Sequence, residues 1–375
     1  MKVAIIHYWF ISRRGGEKVV ESMLKLYPDA DVYTLFYDEK TYGNHLKNNK
    51  VYTSVLDKIG FIKKRYQIFF PLYPIGVNSL KLKDKYDLII SSESGPAKGI
   101  KIDDNTPHLC YIHSPMRYCW GFTNDYLVSV NKWVRPVLLY LFKRLKNWDK
   151  GTINNVDLYV ANSSNVANRV NKFYNRDAKV VYPPIADELF NKPFELNSDK
   201  DIYLSFGAIT PYKRIDLLVD VFNKNGKPLI IVGEGSEKEK LAKIAKPNIK
   251  FTGVLQWAEI EEIFKRTKAL IFPGEEDFGM IPLEVMAYGI PVIALKKGGA
   301  LETIVENKEN IHQSSGIFFD EQTVESLEEK LVYFELIQKD FDAKWIKNHS
   351  SKFKESIFLT AFKGVVDNFL QDFKK

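Results

Sequence analysis

The chain has 375 residues, of which 45% are hydrophobic and 27% charged, proportions that are ordinary for a globular protein of two domains. Its apolar runs fall well short of the roughly 18 to 20 residues that a membrane-spanning helix needs, and the first ten residues lack a signal-peptide pattern, so we expect a cytoplasmic protein. The two cysteines, Cys110 and Cys119, are too few for a disulfide framework and lack the spacing of a zinc site.

The net charge of +7 is unevenly divided along the chain. Residues 1–182 hold 28 Lys or Arg and 16 Asp or Glu, a balance of +12, whereas residues 183–375 hold 26 and 31, a balance of −5. The basic residues concentrate in 47–65 and 132–150, interleaved with aliphatic and aromatic residues. Because no helix-turn-helix, zinc-finger or RNA-binding pattern is evident, we expect this half to bind an anionic membrane surface and not nucleic acid.

In chain order, the first domain begins with a β-branched run at residues 2–7, which predicts a strand. A Gly15-Gly16-Glu17 turn follows, and then a helix predicted from Lys18 to Leu26. The string is not GxGxxG, but a glycine turn at the carboxyl end of a first strand is a place where open α/β sheets bind ligands.

Further strands of the first domain are predicted at residues 31–35, 88–91 and 109–112. The last of them leads directly into His113, with Pro115 and Arg117 close behind. A lone histidine is more often structural, but one at the end of a strand, before a proline turn and near an arginine, occupies a typical active-site position.

Pro183-Pro184 and the polar residues up to Lys200 predict a linker between the domains. The second domain then begins with a strand at 202–206, a loop from Gly207 to Arg214 and a helix from Ile215. Later strands are predicted at 229–232, 249–254, 269–272 and 291–294. Cations at a helix start oppose the helix dipole, so the Lys213-Arg214 pair indicates that an anion binds nearby.

Residues 273–292 join the strand at 269–272 to a helix that is predicted to begin at Pro282 and to stop at Gly289. Gly279 lets the loop backbone approach a ligand, and the helix start offers free amides to a phosphate. Glu276 on the loop and Glu284 in the predicted first helical turn flank this anion site, where carboxylates accept hydrogen bonds from sugar hydroxyls. Two isolated glutamates would more often be surface and dipole-complementing residues, so the interpretation depends on the complete string.

That string, EDFGMIPLEVMAYGIPVIA from Glu276, resembles the signature of the retaining GT-B glycosyltransferases of family 4. Four further motifs are together similar to those of mannosyltransferases that assemble bacterial O-antigen and other surface polysaccharides from GDP-mannose: HSPMRY from His113, Trp148-Asp149, VANSSNVANRV from Val160 and VVYPPI from Val180. The likeness covers nearly the whole chain, and the order and spacing of the motifs carry more weight than any one of them.

The resemblance implies an α/β protein of the GT-B fold, in which two doubly wound Rossmann-like domains face a cleft. We therefore predict an acceptor-binding domain at 1–182, a linker at 183–200, a nucleotide-sugar-binding domain at 201–352 and a C-terminal helix at 353–375 that crosses back to the first domain.

The resemblance also implies roles for single residues. The catalytic group would be Glu276 on the transferred sugar, Lys213 and Arg214 on the pyrophosphate, and His113 beside the sugar. Glu284 would bind the donor ribose, and the remaining donor-binding positions would be Phe278, Gly279, Met280, Ile281, Gly207, Gly233 and Val254. Gly15, Gly16, Glu17 and Arg117 would form an acceptor or pyrophosphate loop. Many relatives have arginine where this chain has Ala208, and Gly298-Gly299 either lines the donor pocket or is a structural turn.

The activity that these expectations describe is transfer of mannose, with retention, from GDP-mannose to a lipid-linked oligosaccharide acceptor at the inner face of the cytoplasmic membrane. No metal or other cofactor is expected; Asp199-Lys200-Asp201 is similar to a metal-binding DxD string but lies in the linker region. Three alternatives stay open: a UDP-sugar donor, a nucleotide-sugar epimerase of the same fold, and a catalytically silent glycan- or lipid-binding protein.

Overall fold

The computed structural model describes residues 1–103, 105–128, 130–191, 195–197 and 199–373. The chain divides into two compact units, one of residues 1–184 with 355–375 and the other of residues 185–354. Each unit is built on its own parallel sheet, and we describe the two separately.

The sheet of the first unit has seven parallel strands in the order β3-β2-β1-β4-β5-β6-β7. They are β1 Val3–His7, β2 Asp31–Thr34, β3 Val51–Thr53, β4 Leu88–Glu93, β5 His108–Ile112, β6 Leu158–Ala161 and β7 Ala178–Val180. The helices between them are α1 Gly15–Leu26, α2 Glu39–Tyr42, α3 Gly60–Lys64, α4 Tyr73–Ser79, α5 Thr123–Val128, α6 Arg135–Gly151 and α7 Ser164–Tyr174.

The sheet of the second unit has six parallel strands in the order β10-β9-β8-β11-β12-β13. They are β8 Ile202–Phe206, β9 Leu229–Val232, β10 Ile249–Gly253, β11 Thr267–Phe272, β12 Val292–Leu295 and β13 Gly316–Phe319. The helices are α8 Glu188–Asn191, α9 Ile215–Asn225, α10 Lys238–Ile244, α11 Trp257–Arg266, α12 Met280–Met286, α13 Ala300–Thr303, α14 Val324–Ile337 and α15 Ala343–Ser350.

Both sheets are covered on both faces, which explains why their strands are nearly continuous apolar runs. In β1, Ala4 and Ile6 join one hydrophobic core, whereas Val3 and Ile5 join another on the opposite face. The second unit likewise has two cores, one on each side of its sheet. The predicted pair of doubly wound α/β domains is therefore confirmed.

The C-terminal helix, α16 (Glu355–Phe373), is part of the first unit. Its buried stripe of Phe358, Phe362 and Val366 repeats every four residues, as the apolar face of a helix does. The two phenylalanine rings each lie 5.9 Å from the ring of Tyr111 on β5.

The strand orders place one switch point in each sheet. In the first unit β1 has β2 on one side and β4 on the other; in the second β8 has β9 on one side and β11 on the other. Ligands of open α/β sheets bind outside the carboxyl ends of the strands at such points. The loops after β8 and β11 are those that contain Lys213 and Glu276.

Three predicted boundaries were wrong. Helix α1 begins at Gly15, so the two glycines belong to its first turn and not to a loop. Helix α12 begins at Met280, with Gly279 as its N-cap, and ends at Met286. The predicted linker contains α8, and Phe190 of that helix is buried in the second unit; Lys192, Pro193, Phe194 and Ser198 of this linker lie outside the described residues.

A buried group of charges that no sequence pattern predicted includes a residue of the first sheet. The Lys98 ammonium pairs with the Asp149 carboxylate of α6 and lies 3.8 Å from Oε1 of Glu93 on β4, and all three side chains are fully buried. Trp120 Nε1 and the Tyr174 hydroxyl donate to Oδ2 of Asp149 over 2.8 and 2.9 Å. Burial would lower the pKa of Lys98, but the charges of Asp149 and Glu93 raise it, so the lysine stays ionised.

Within the described residues, every helix is too short or too polar to cross a membrane.

Candidate functional site

The candidate donor site consists of two loops at the switch point of the second sheet. The loop after β8 runs from Gly207 to Arg214, and the loop after β11 runs from Pro273 to Gly279. They touch where Gly274 faces the first loop: a Cβ on Gly274 would lie 3.0 Å from Cα of Lys213 and from the carbonyl oxygen of Tyr212.

The loop after β8 is also held against the loop after β9 by close backbone contact. Gly207 and Gly233 have φ angles of 130° and 141°, and a Cβ on Gly233 would lie only 1.8 Å from the carbonyl oxygen of Gly207. The amide of Gly207 donates to the Val232 carbonyl over 2.9 Å. Any larger residue at Gly233 would therefore push these loops apart.

Lys213 and Glu276 come together as an ion pair between the Lys213 Nζ and the Glu276 Oε1. Their side chains are only 14% and 19% exposed, so water screens this pair less than it would a surface pair. The ammonium also lies 5.6 Å from the ring centre of Phe272, the last residue of β11. A fixed positive charge and a carboxylate thus share one small volume at the sheet edge.

Arg214 follows Lys213 directly but points to other partners. Its backbone is left-handed, with φ 56°, and it is the N-cap of α9. Its Nε lies 3.1 Å from the Asp216 carboxylate, and its Nη1 lies 3.4 Å from Oε1 of Gln322. Gln322 in turn donates to the carbonyl of Pro273 over 2.8 Å, so the arginine is tied to both site loops.

Glu284 lies two residues further along its helix than predicted. Because α12 begins at Met280, Glu284 is the fifth residue and not part of the first turn, and its side chain is 7% exposed. Pro282 is the third residue of the helix, where a missing amide hydrogen still costs no intrahelical bond. The left-handed Gly279, with φ 89°, turns the chain into the helix, a role that few other residues could fill.

The other predicted donor-binding residues are placed unequally. The Phe278 side chain is buried in the core, with its ring 5.8 Å from that of Phe353, so its backbone is the part that could contact a donor. Met280 and Ile281 are half-buried, and Cδ1 of Ile281 lies 2.7 Å from where a Cβ on Gly207 would be. Val254 follows the edge strand β10 and is 76% exposed.

The second glycine turn, Gly298-Gly299, supports the loop that carries Glu276. The Gly299 amide donates to the Glu276 carbonyl over 2.9 Å. A Cβ on Gly298 would lie 2.3 Å from that same carbonyl oxygen, and one on Gly299 would lie 2.3 Å from Cα of Phe278. Of the two interpretations of this turn, the geometry favours the structural one.

In the first unit, His113 lies where the sequence places it, immediately after β5. Its Nε2 is 2.8 Å from the hydroxyl of Ser92 on β4, and its amide donates to the Glu93 carbonyl over 2.7 Å. The same hydroxyl is 3.0 Å from Nδ1 of His7, at the end of β1. His7 and Ser92 were not predicted as site residues, since a strand sequence gives no sign of which residues its neighbours bring close.

The predicted acceptor loop is the first turn of α1. Gly16 is packed so tightly that a Cβ would lie 2.3 Å from the Tyr8 hydroxyl. The Glu17 carboxylate accepts a hydrogen bond from the Arg14 amide over 3.1 Å and is almost fully buried, and this burial raises its pKa to about 7. Arg117 lies elsewhere, with its guanidinium carbon 3.9 Å from the ring centre of Phe122.

Across the described residues, no group of three or more His, Cys, Asp or Glu side chains is placed to hold a metal ion. In the DxD-like string, the Asp201 carboxylate binds Arg266, whose Nε donates to it over 2.9 Å. Lys213, Arg214 and the amides of the loops are groups of the second unit that could offset phosphate charge.

Comparisons with known proteins show similarity to glycosyltransferases. Residues 187–352 match the family model described as Glycosyl transferases group 1. The chain is 24% identical over 370 residues to an uncharacterized glycosyltransferase of Methanocaldococcus jannaschii, an alignment that covers 95% of this chain and 93% of the relative. It is 32% identical over 99 residues, or 26% of each chain, to a GDP-mannose-dependent alpha-mannosyltransferase of Mycolicibacterium smegmatis.

Solved structures are similar over the whole chain. Anabaena Alr3699/HepE, in complex with UDP and glucose, superposes with a TM-score of 0.67 at 17% identity, covering 98% of this chain and 99% of that one. At this identity the likeness establishes the fold alone. It confirms the predicted GT-B fold.

The raised pKa of Glu17 predicts how the free energy of unfolding depends on pH. Because its pKa rises from an ordinary 4.5 to about 7 on folding, the folded state binds more protons than the unfolded state between these values. The free energy of unfolding of the wild type should therefore fall as pH rises through this window. Glu17→Gln, which retains a capping side chain, should gain stability over the wild type by up to about 3 kcal/mol at pH 8, and little at pH 4.

Urea unfolding of both proteins at several pH values measures this difference. Glu21→Gln is the matched control on the same helix: burial alone would raise the pKa of Glu21, but the hydrogen bond and charge of Arg13 lower it. The Glu21→Gln substitution should lower the free energy of unfolding at neutral pH and lower it less in acid, so its effect has the opposite sign to that of Glu17→Gln. A Glu17→Gln effect that does not vary with pH would contradict the prediction.

Proposed function

We propose that this chain of the GT-B fold, whose residues 187–352 match the group 1 model, is a glycosyltransferase that transfers mannose from GDP-mannose with retention of configuration. We further propose that the acceptor is a lipid-linked oligosaccharide of bacterial surface polysaccharide synthesis. The observation that carries the proposal is the Lys213–Glu276 ion pair at the switch point of the second sheet. It supplies a cation for a diphosphate and an acceptor for sugar hydroxyls at one place.

The departing diphosphate needs positive charge where negative charge develops. A lysine ammonium has three N–H donors, so pairing with Glu276 does not prevent Lys213 from contacting a phosphate. The bonds of Arg214 to Asp216 and Gln322 use two of its five N–H donors and fix the guanidinium beside the loop. Both cations are held in place before the donor arrives, which limits the cost of ordering them.

Glu276 would hold the transferred sugar and not attack it. Its carboxylate is paired with Lys213, and its loop is fixed by the Gly299 amide, an arrangement suited to hydrogen bonds with sugar hydroxyls. Glu284 would accept both ribose hydroxyls. In the proposed front-face route the leaving phosphate takes the proton of the acceptor, so no protein nucleophile is needed.

Donor and product analysis tests this function. The purified chain is incubated with lipid-linked acceptors and with GDP-mannose or UDP-sugars, and the products are identified by mass spectrometry and by early-time NMR of the anomeric proton. We expect mannose transfer with a retained anomer from GDP-mannose. Transfer from a UDP-sugar would identify the other donor class, altered sugar with free nucleotide from the donor alone would identify an epimerase, and an inverted anomer would exclude the proposed mechanism.

Lys213→Ala and Arg214→Ala should each lower kcat at saturating donor. A charged hydrogen bond is worth roughly 1.5 to 3 kcal/mol, so a loss of about 10- to 150-fold is expected if the bond strengthens in the transition state. Lys224→Ala is the control, because Lys224 is an exposed lysine of α9 that pairs with Glu328. If only KM for the donor changes, these residues bind the diphosphate without stabilising its departure.

The first unit should take its acceptor from the surface of an anionic membrane. Large apolar side chains are exposed among basic ones in two segments, which we call the apolar-basic patch: Val55, Ile59, Phe61, Ile68 and Ile75 in the first, and Trp133, Val134, Val137, Leu139 and Tyr140 in the second. Trp133 is 79% exposed. The segments adjoin, since Phe142 of α6 packs on Phe70 with ring centres 5.1 Å apart. Aromatic and basic side chains together suit the interface of an anionic bilayer.

Vesicle flotation tests this membrane proposal. The protein should float with vesicles of phosphatidylcholine and phosphatidylglycerol, should not float with phosphatidylcholine alone, and should be released by salt. Charge reversal at Lys64 and Arg65 should weaken binding by about tenfold or more, since each basic residue near such a surface contributes on the order of 1 kcal/mol. Lys63 is a poorer target because it pairs with Asp57 over 3.2 Å.

The matched control is charge reversal at two exposed lysines of the second unit, Lys297 and Lys308, which changes the net charge equally. It should leave flotation unchanged. Equal recovery with neutral and anionic vesicles, or equal effects of the two double variants, would contradict the proposal.

A further inference from the structure

Three side chains form a hydrogen-bonded chain across neighbouring strands of the first sheet. Ser92 on β4 pairs in register with His7 on β1, and its hydroxyl oxygen lies 3.0 Å from Nδ1 of His7 and 2.8 Å from Nε2 of His113. His7 and Ser92 are buried, and His113 is partly buried at the carboxyl end of β5. This chain of hydrogen bonds therefore leads from the interior of the unit to His113, the residue predicted to lie beside the sugar.

The Ser92 hydroxyl has one proton, so it cannot donate to both imidazoles. Among the described residues, the hydrogen-bond partners of this buried hydroxyl are His7 Nδ1 and His113 Nε2, so its proton is donated to one of these two nitrogens. If both rings are neutral, the nitrogen that does not receive this proton donates its own to Ser92. The two arrangements differ in which nitrogen of His113 carries its proton. Knowing the state of His7 therefore decides the tautomer of His113.

His7 is neutral, because burial, together with the nearby His113, lowers its pKa well below the ordinary value. Its other nitrogen, Nε2, is buried and has no hydrogen-bond partner among the residues that the structure describes. A buried N–H without an acceptor is rarer in proteins than an acceptor without a donor. The proton of His7 is therefore placed on Nδ1, where it donates to Ser92.

We propose that His7 and Ser92 are positioning residues that hold His113 as the neutral tautomer with its proton on Nδ1. His7 Nδ1–H donates to Ser92, the Ser92 hydroxyl donates to His113 Nε2, and His113 keeps a donor on the side of the ring away from Ser92. The bond from the His113 amide to the Glu93 carbonyl, 2.7 Å long, fixes the backbone that carries the ring. This inference rests on the proposed function in one respect, that the fixed donor is used by the sugar or acceptor.

Such a donor would be neutral and permanent. It would offer a hydrogen bond to a sugar hydroxyl or to the reacting region without depending on protonation of the imidazole. Without Ser92, His113 could exchange between tautomers, and the ring would present a donor for only part of the time. The expected consequence is a lower kcat with little change in KM for the donor, whose binding residues lie in the second unit.

Nitrogen-15 NMR of the histidine rings in the full-length protein tests the proposal directly. The wild-type spectrum should show His113 as the Nδ1–H tautomer and His7 as neutral, also with its proton on Nδ1. Ser92→Ala and His7→Leu should both abolish the single tautomer of His113 and lower kcat by tenfold or more. His7→Gln, whose amide can still donate to Ser92, should restore the tautomer and much of the rate.

Ser91→Ala is the matched control on the same strand. Ser91 is equally buried, and its hydroxyl lies 2.8 Å from Nε2 of a different histidine, His108, whose Nδ1 is 2.6 Å from the Asn155 carbonyl. Its loss should affect the signals of His108 and the stability of the fold but not the tautomer of His113.

An Nε2–H tautomer of His113 in the wild type would overturn the proposal without any variant having to fold. So would an unchanged His113 spectrum in Ser92→Ala. The spectra do not require turnover, so a correct tautomer in a chain that transfers no sugar would contradict the proposed function alone. Normal transfer with the wrong tautomer would contradict this inference alone.

Discussion

The candidate donor site of the second unit depends on backbone contacts that leave no room for a side chain. Four loops come together at the carboxyl end of one sheet through glycines that touch a neighbouring backbone. Gly233 lies against the Gly207 carbonyl and Gly274 against Lys213, while Gly298 and Gly299 lie against the segment from Glu276 to Phe278. Because these contacts are between main-chain atoms, they set the positions of Lys213 and Glu276 without relying on flexible side chains. The two residues are 63 positions apart in sequence, and only this packing makes them an ion pair.

The residues at the switch points of the two sheets differ in charge and exposure. In the second, the residues at the switch point are charged and partly exposed, and they pair with each other across loops. In the first, they are neutral or nearly so: His7 has a strongly lowered pKa, and Glu17 has one raised to about 7 by burial. This division fits our proposal that the second unit binds an anionic donor and the first a hydroxyl acceptor, which needs hydrogen bonds and little charge.

Much of this could be predicted from the sequence because its signals are local. Apolar runs predicted most of the central strands, and the string from Glu276 predicted a loop followed by a helix, which the structure has there. The start of α12 was misplaced because Pro282 is tolerated throughout a first turn, so it does not mark the first residue. The Gly15-Gly16 pair predicts a loop, whereas Gly16 lies within a helix, at a place where the Tyr8 hydroxyl leaves no room for a Cβ. Two other contacts could not be predicted, because no local pattern indicates pairs so distant in sequence. Lys98 pairs with Asp149, 51 positions away, and His7 bonds to Ser92, 85 positions away.

Helix α6 has two halves of different character. Its C-terminal half is anchored, because Asp149 holds the buried Lys98 and accepts from Trp120 and Tyr174, and replacing one member of such a group leaves an uncompensated charge in the core. Its N-terminal half is exposed on nearly every side and has no such buried charge to hold. Packing therefore restricts substitutions severely at the C-terminal end and little at the N-terminal end. The exposed end could be exchanged for another sequence, in evolution or by design, while the anchored end keeps the helix fixed to the sheet.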